Sequence, residues 1–510
     1  MLAVLNTFGL SGIDGYKLQV EVDINQGLPG YEIVGLVGTS IKESKERIKS
    51  AIKNSGYLYP ILKIIVNLAP ADTKKEGPMY DLPIALGILC ASEQLEIDKA
   101  REYVFLGELG LNGSVNKVNG LLPILIHAKQ MGVKKFIIPK ANEKEASFIS
   151  GLEVYPVTSL DETVKFIKGE LSIEKVKEQD YKDLRERSQG VHDFKYIKGQ
   201  TQAKRALEIA AAGGHNILLI GPPGSGKTML AKAFPTILPD LTFEETLEIS
   251  KIHSIAGTLD SKTGILTQRP FRSPHHTTTT IALTGGGRTA KPGEISLAHN
   301  GVLFLDEMPE YNRNALETLR QPLEDGVITV SRLEASIKYP ANFMLIASMN
   351  PCPCGHFGST TKECKCTPQA IRSYLNKLSG PLMDRIDMHI EVDNVNYNDL
   401  RVEANEEPSK DIKERVDKAR EIQLARFKDS ENFSNSNMND RQIKKYCKIS
   451  EDSNIILKMA FDKLNLSARA YNRILKVART IADLEGYEDI QDEHIMEAIS
   501  YRAMDNKYWS

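Results

Sequence analysis

The stretch Asn216-Ile-Leu-Leu-Ile-Gly-Pro-Pro-Gly-Ser-Gly-Lys-Thr-Met-Leu-Ala-Lys-Ala-Phe234 decides the fold. Its aliphatic run, bounded by a Gly/Pro turn, reads as a strand covered on both faces, and the residues after the turn read as a helix. Between them Gly221, Pro222, Pro223, Gly224, Ser225, Gly226, Lys227 and Thr228 form a complete phosphate-binding loop in its required strand–loop–helix context. The glycines let main-chain N–H groups turn toward phosphate oxygens, and the Lys227 ammonium reaches the β and γ oxygens. The Thr228 hydroxyl suits Mg²⁺, and the helix start adds partial positive charge. The expected ligand is ATP with Mg²⁺.

Working outward, Gly301-Val-Leu-Phe-Leu-Asp-Glu307 carries Asp306 to the tip of a second buried strand. A carboxylate there can hold the Mg²⁺ shell, with Glu307 placed to polarise an attacking water. A third strand, Phe343–Ala347, leads to Asn350, whose amide either orients that water or simply opens a turn before Pro351. Arg385 sits in Ser379-Gly-Pro-Leu-Met-Asp-Arg-Ile-Asp387, and Arg469 in Leu466-Ser-Ala-Arg-Ala470 with Arg473 one turn later. Singly, each is more often a surface ion pair. Placed after the other elements, they suit finger or sensor roles that stabilise transition-state charge, completed between subunits.

The chain has 510 residues with 65 basic and 67 acidic side chains, enough for about three domains. That balance gives no gross electrostatic reason to expect a polyanion, though a local basic lining survives it. No apolar run approaches the roughly 18 residues of a spanning helix, and the start lacks the pattern of a signal peptide. Six cysteines make no disulfide framework, so a cytoplasmic protein without a membrane partner is expected. Residues 1–168 mix strands (Lys17–Ile24, Lys63–Leu68, Lys135–Pro139) with helices (Ile84–Ala91, Leu121–Met131), an α/β domain. Residues 169–190 read as a charged linker or exposed helix. Residues 191–392 form the parallel-sheet core. Residues 393–510 read as a helical lid (Ala468–Leu484, Asp492–Met504) broken by a loop at Asp429–Asp440.

Two further features stand out. Ser261–Gly293 contains no carboxylate and carries Lys262, Arg269, Arg272, Arg288 and Lys291, with a run of threonines and Gly285–Gly287. It reads as a flexible insertion. Val327–Tyr339 alternates like a hairpin and carries Arg332 and Lys338. In a ring, Arg269, Arg272, Arg288, Lys291, Arg332 and Lys338 could grip nucleic-acid phosphates, or they pair with acids elsewhere or line a subunit interface. Cys352, Cys354, Cys364 and Cys366 are the other feature. Four thiolates suit tetrahedral Zn²⁺, with His356 able to replace one, although C-x-C spacing is tight for zinc. Reduced thiols without metal are the alternative.

The order of phosphate loop, acidic strand, asparagine strand, arginine and lid arginine resembles the AAA+ ATPases, which implies a ring, usually a hexamer. Ala211-Ala-Gly-Gly-His-Asn216, Arg269-Pro-Phe-Arg-Ser-Pro-His-His276, Pro292-Gly-Glu-Ile-Ser-Leu-Ala-His299 and Asn350-Pro-Cys-Pro-Cys-Gly355 narrow it. With Arg372 to Asp387, they resemble the magnesium chelatase-like AAA+ group of the ComM/YifB type along nearly the whole chain. That resemblance implies a homo-hexameric DNA motor of helicase or branch-migration type, acting on single-stranded or branched DNA during DNA uptake and transformation. A chaperone-like motor acting on a protein or metal-insertion complex is the alternative.

Lys75-Glu-Gly-Pro-Met-Tyr-Asp81 and Gly113-Ser-Val-Asn-Lys-Val-Asn-Gly-Leu-Leu-Pro123 are similar to the proteolytic domain of Lon, as is Ile126-His-Ala-Lys-Gln-Met-Gly-Val133. Lon uses a serine–lysine dyad. Here Met79 stands in the serine's place and Leu122 in the lysine's, and neither side chain can attack a carbonyl or accept a proton. The resemblance therefore implies a scaffold without protease activity.

Overall fold

A computed structural model of the chain describes residues 1–181, 192–287, 290–331, 336–358, 362–394, 406–428, 430, 433–464, 466–504 and 508. Part of the expected linker, and Arg288 and Arg332, lie outside the described residues.

The N-terminal part is built on a seven-stranded sheet. Its spatial order is Gly30–Val34, Lys63–Ala69, Asp14–Asn25, Leu2–Ser11, Val104–Phe105, Lys135–Pro139 and Glu153–Val157. The alternation read in Lys17–Ile24 is real: Leu18, Val20, Val22 and Ile24 are buried and their neighbours face outward. Helix Asp81–Ala91 is buried along its whole length and packs with helix Leu121–Gln130 on the central hairpin of the sheet. Met79, in the short turn before the first of these helices, and Leu122, at the start of the second, are 6% and 0% exposed. Both positions where the resemblance would place a dyad are sealed into the apolar core.

Asp81 is, with Lys75 and Glu145, one of the charged residues buried in this part of the chain. Its carboxylate takes Arg47 Nε at 2.9 Å and Arg47 Nη2 at 3.2 Å, and accepts the Leu109 N–H at 3.3 Å. Burial nonetheless pushes Asp81 up to about 6, against the pull of Arg47.

The second sheet has five strands, all parallel: Phe271–Arg272, Val302–Leu305, Met344–Met349, Ile217–Ile220 and Met388–Glu391, in that spatial order. The strand first in sequence, Ile217–Ile220, therefore lies between the last two. Ligands of open parallel sheets bind at the carboxyl ends of strands beside such a switch point. The strands read from sequence fall where expected, with one correction. The segment taken as a flexible insertion contributes the edge strand Phe271–Arg272, helix Thr280–Thr284 and a short ladder between Gly285–Gly286 and Lys291–Pro292.

The C-terminal helices Ser409–Arg426, Asp440–Tyr446, Glu451–Leu464, Ala468–Glu485 and Asp492–Ser500 cover one end of this core. Ala468–Glu485 starts on the Ser467 hydroxyl, which accepts the Ala470 N–H at 3.2 Å, and buries Ala470, Ile474, Val477, Ala478 and Ile481. The stretch expected as a loop at Asp429–Asp440 holds more structure than that. Asn435 is fully buried and donates to Thr480 Oγ1 at 3.1 Å and to Asp483 Oδ2 at 2.8 Å, a carboxylate that also takes Arg426 Nη1 at 2.7 Å. A polar residue with every bond made inside the core looks, in sequence, like any other loop asparagine.

The two sheets meet through helix Phe243–Ala256 and the turn after it. Ser254 Oγ donates to the buried Glu145 at 2.7 Å, the Gly120 N–H reaches Ser254 O at 3.0 Å, and Lys117 Nζ reaches Leu259 O at 3.0 Å.

A carboxyl with a folded pKa above its unfolded value binds a proton on folding, so the stability it gives is lost as pH rises through about 6. In thermal melts of the full chain, Asp81→Asn should be the less stable protein at pH 5, and its deficit should shrink by pH 7. A constant deficit across that range would contradict the assignment.

Candidate functional site

Strand Ile217–Ile220 is buried at every position and delivers Gly221 to the carboxyl edge of the sheet. Gly224 (φ +83°) and Gly226 (φ +93°) take the left-handed conformation that turns the loop. Lys227, nearly buried at the loop's end, donates to Gly221 O at 2.7 Å, Pro222 O at 2.9 Å and Asn350 Oδ1 at 3.3 Å. Burial pulls this ammonium down to about 8, with Asp306 and Glu307 opposing. A cation so poorly solvated gains from an incoming anion.

Thr228 Oγ1 donates to Asp306 Oδ2 at 2.8 Å. The other Asp306 oxygen accepts from the Ser348 hydroxyl, which in turn accepts the Glu307 N–H at 3.2 Å. A hydroxyl and a carboxylate held side by side are the hard oxygen donors Mg²⁺ prefers, so the residues fit that ion. When bound, Mg²⁺ would supply charge neutralisation at the phosphates. Glu307 adopts φ +53°, a conformation strained for a residue with a side chain, and its carboxylate lies 3.7 Å from His276 Nδ1.

Sequence reasoning missed three residues here. Ser348 is indistinguishable in sequence from any strand serine. His276 follows the two-residue edge strand. Gln200 Nε2 ties the loop to the end of the last strand, donating to Ser225 O at 3.1 Å and Asp393 O at 2.5 Å.

Arg385 and Arg469 lie at the opposite edge. Asn216, just before the loop strand, donates through Nδ2 to Arg385 O at 3.1 Å and through its own N–H to Asp387 Oδ2 at 3.0 Å. From Asn216 to Gly221 the chain climbs five residues of strand, roughly 16 Å at about 3.3 Å each, which is beyond the reach of an arginine side chain. Both guanidiniums converge on Glu324: Arg385 Nη2 pairs with one carboxylate oxygen and Arg469 Nη2 lies 3.8 Å from the other. The lid helix is held there by Arg473 Nε on Asp387 Oδ1 at 3.0 Å and by His215 Nε2 with Thr480 Oγ1 at 2.8 Å. Burial pushes Asp387 up, but His215, Arg473 and the Asn216 N–H outweigh it and hold this carboxylate well below its usual range.

The arginines border a cavity of about 740 Å³ whose wall also includes Arg269, Arg420 and Arg473. Arg385 is held below the usual arginine range by burial, then by Arg469, Arg320 and Arg473. Its Nε has no hydrogen-bond partner among the described residues. The same wall carries Glu245, Glu324, Asp325, Asp387 and Asp440 beside the arginines.

The residues proposed to grip phosphates divide. Arg269 is committed inside the protein, donating to Pro239 O at 2.7 Å and Asn300 O at 2.8 Å and pairing with Glu245 at 3.1 Å. Arg272 is paired with Glu294 at 2.6 and 2.8 Å. Both are paired with acids of the same chain, the alternative reading of these cations. Lys291 and Lys338 are exposed, and the two segments carrying them are joined: the Tyr339 hydroxyl donates to Ala290 O at 2.9 Å. The four cysteines also come together, with Sγ atoms all within 4.8 Å of one another.

Three family models match in succession: "Magnesium chelatase, subunit ChlI" over residues 193–400, "Subunit ChlI of Mg-chelatase" over 20–142, and "Magnesium chelatase, subunit ChlI C-terminal" over 406–502. The chain is 45% identical to the uncharacterized protein YifB of Escherichia coli strain K12 over 505 residues, 99% of this chain and 97% of that one. It is 44% identical to competence protein ComM of Haemophilus influenzae over 508 residues, 99% of this chain and 98% of that protein. The chain belongs to the ComM/YifB-type magnesium chelatase-like AAA+ family. Membership in that family agrees with the parallel sheet, its phosphate loop and the helical region after it. None of the helices in the described residues is long and apolar enough to cross a membrane.

Ser348 touches Asp306 and the Glu307 N–H, so Ser348→Ala should lower the ATP turnover rate about tenfold with little change in KM, the usual scale for a residue that orients a ligand-bearing carboxylate. A rate within twofold of the parent would place Ser348 outside the site.

Proposed function

We propose that the chain is an ATP-driven motor that works as a ring of six like subunits on single-stranded or branched DNA. The Haemophilus relative is named a competence protein. By that likeness the DNA would be a recombination intermediate of transformation, remodelled by branch migration.

One observation carries the ring. Hydrolysis needs a phosphate loop, a carboxylate to orient water and a cation on the transition state, and an arginine finger contributes about 10³–10⁵ in rate. Here Lys227, Thr228, Asp306, Glu307 and Asn350 gather at one edge of a parallel sheet, and Arg385 and Arg469 at the other. Two copies stacked edge to edge complete a site that one copy cannot. In that arrangement Lys227 binds phosphate, Glu307 accepts a proton from the attacking water, Asn350 orients it, and the neighbour's Arg385 and Arg469 leave Glu324 for the γ-phosphate. Closing the series of identical head-to-tail contacts gives a ring. For the track, support comes from Lys291 and Lys338 on joined insertions, an exposed basic surface suited to a phosphate backbone.

Two experiments test the reading. Lys227→Ala and Arg385→Ala subunits should each be nearly inactive alone, yet regain ATPase activity when mixed, because some boundaries then pair an intact loop with an intact arginine. No recovery in mixed rings would mean that the arginine acts within its own subunit.

Forked or four-way-junction DNA should stimulate turnover at low salt and lose the effect at high salt. Replacing Lys291 and Lys338 by glutamate should weaken the stimulation, and each lysine withdrawn from the phosphate backbone should lower the salt slope by about one. Indifference to DNA in a demonstrated hexamer would favour remodelling of a protein complex instead.

A further inference from the structure

The cysteine cluster lies outside the reaction just described, yet it abuts the nucleotide site. Cys352 Sγ is 3.4 Å from Cys354 Sγ and 3.7 Å from Cys364 Sγ, and Cys354 Sγ is 3.6 Å from Cys364 Sγ. A disulfide would need about 2.05 Å. Four sulfurs at tetrahedral corners, each about 2.3 Å from one ion, lie about 3.8 Å apart. The cluster therefore has the size of a mononuclear tetrathiolate centre.

The main chain adds a contact at one of these sulfurs: the Phe357 N–H donates to Cys352 Sγ at 3.3 Å, the kind of outer-sphere bond that orients a metal ligand.

The loop that carries this cluster is fixed at both ends to the nucleotide site. It leaves the sheet at Asn350, whose side chain touches Lys227. Helix Pro368–Leu375 follows Cys366 after the single residue Thr367, and its buried Tyr374 brings the phenol hydroxyl beside the Asn350 main chain. In between, Gly355, at φ +80°, passes so close to the phosphate loop that a Cβ there would sit 2.4 Å from Pro223 Cδ.

We propose that Cys352, Cys354, Cys364 and Cys366 bind one Zn²⁺ as four thiolates, and that this centre is the rigid wall holding Asn350 and Pro223 at the nucleotide site. The metal site stands on the sulfur geometry alone. Its role as a wall rests on the nucleotide reading given above.

The test uses the full-length chain purified under reducing conditions. Elemental analysis should find one zinc per chain, and Co²⁺ exchanged into the site should give thiolate-to-cobalt charge-transfer absorption. Both signals should be lost in a Cys364→Ser, Cys366→Ser double variant. Absence of zinc after equimolar Zn²⁺ is added, iron in its place, or full zinc in the double variant would each overturn the site.

Gly355→Ala addresses the wall separately, because it leaves all four thiols in place. Zinc should be retained while the affinity for a fluorescent ATP analogue falls about tenfold, the scale of strain in the left-handed region. Unchanged affinity with zinc bound would overturn the wall and leave the metal site standing. A parent protein that holds zinc but binds no nucleotide would overturn the wall together with the ATPase reading.

Discussion

A parallel sheet has two unlike edges, and the chemistry of this protein is distributed by that fact. Every strand of the five-stranded core runs the same way, so the loop after Ile220, Asp306 after Leu305 and Asn350 after Met349 must emerge together. Arg385, which precedes strand Met388–Glu391, must emerge at the other side. No side-chain rotation can reverse this. A subunit built this way presents its phosphate loop on one face and Arg385 on the other.

The two faces are kept in register by a small number of polar residues that span the core. Asn216 ties two other segments to its own: its N–H and carbonyl meet Asp387, its amide meets Arg385 O, and its Oδ1 accepts the Leu345 N–H at 2.8 Å. His215 and Asp387 extend the same cluster to Thr480 and Arg473 on the lid helix. Buried groups of this kind are costly when a partner is lost, because the remaining polar atoms stay dehydrated. The lid is therefore tied to the sheet by bonds whose direction is specified, in addition to the apolar packing of Ile474, Val477 and Ile481.

The parts legible in the sequence were those whose signal is local. A phosphate loop, an aliphatic strand ending in Asp306 and Glu307, and the alternation of Lys17–Ile24 each lie within a short contiguous window. The parts that were not legible depend on a partner far along the chain. Charge counting over Ser261–Gly293 found five cations and no acid, but Arg269 is answered by Glu245, sixteen residues before that window opens, and Arg272 by Glu294, the first residue after it closes. The role of Glu324, which receives both Arg385 and Arg469, is set by three segments meeting in space. The same is true of Asn435, whose burial follows from the helices around it.

The N-terminal core carries a consequence for descent. If an ancestor cut peptides at the positions of Met79 and Leu122, the way back is obstructed by packing. A hydroxyl and an ammonium restored there would enter an interior that is 6% and 0% exposed and already filled by thioether and isobutyl groups. An unpaired ammonium in such a place gives up its proton or destabilises the fold, and a lone hydroxyl has no base to activate it. Each single reversion is penalised before the pair can be useful. On such a descent, loss of the chemistry would act as a ratchet.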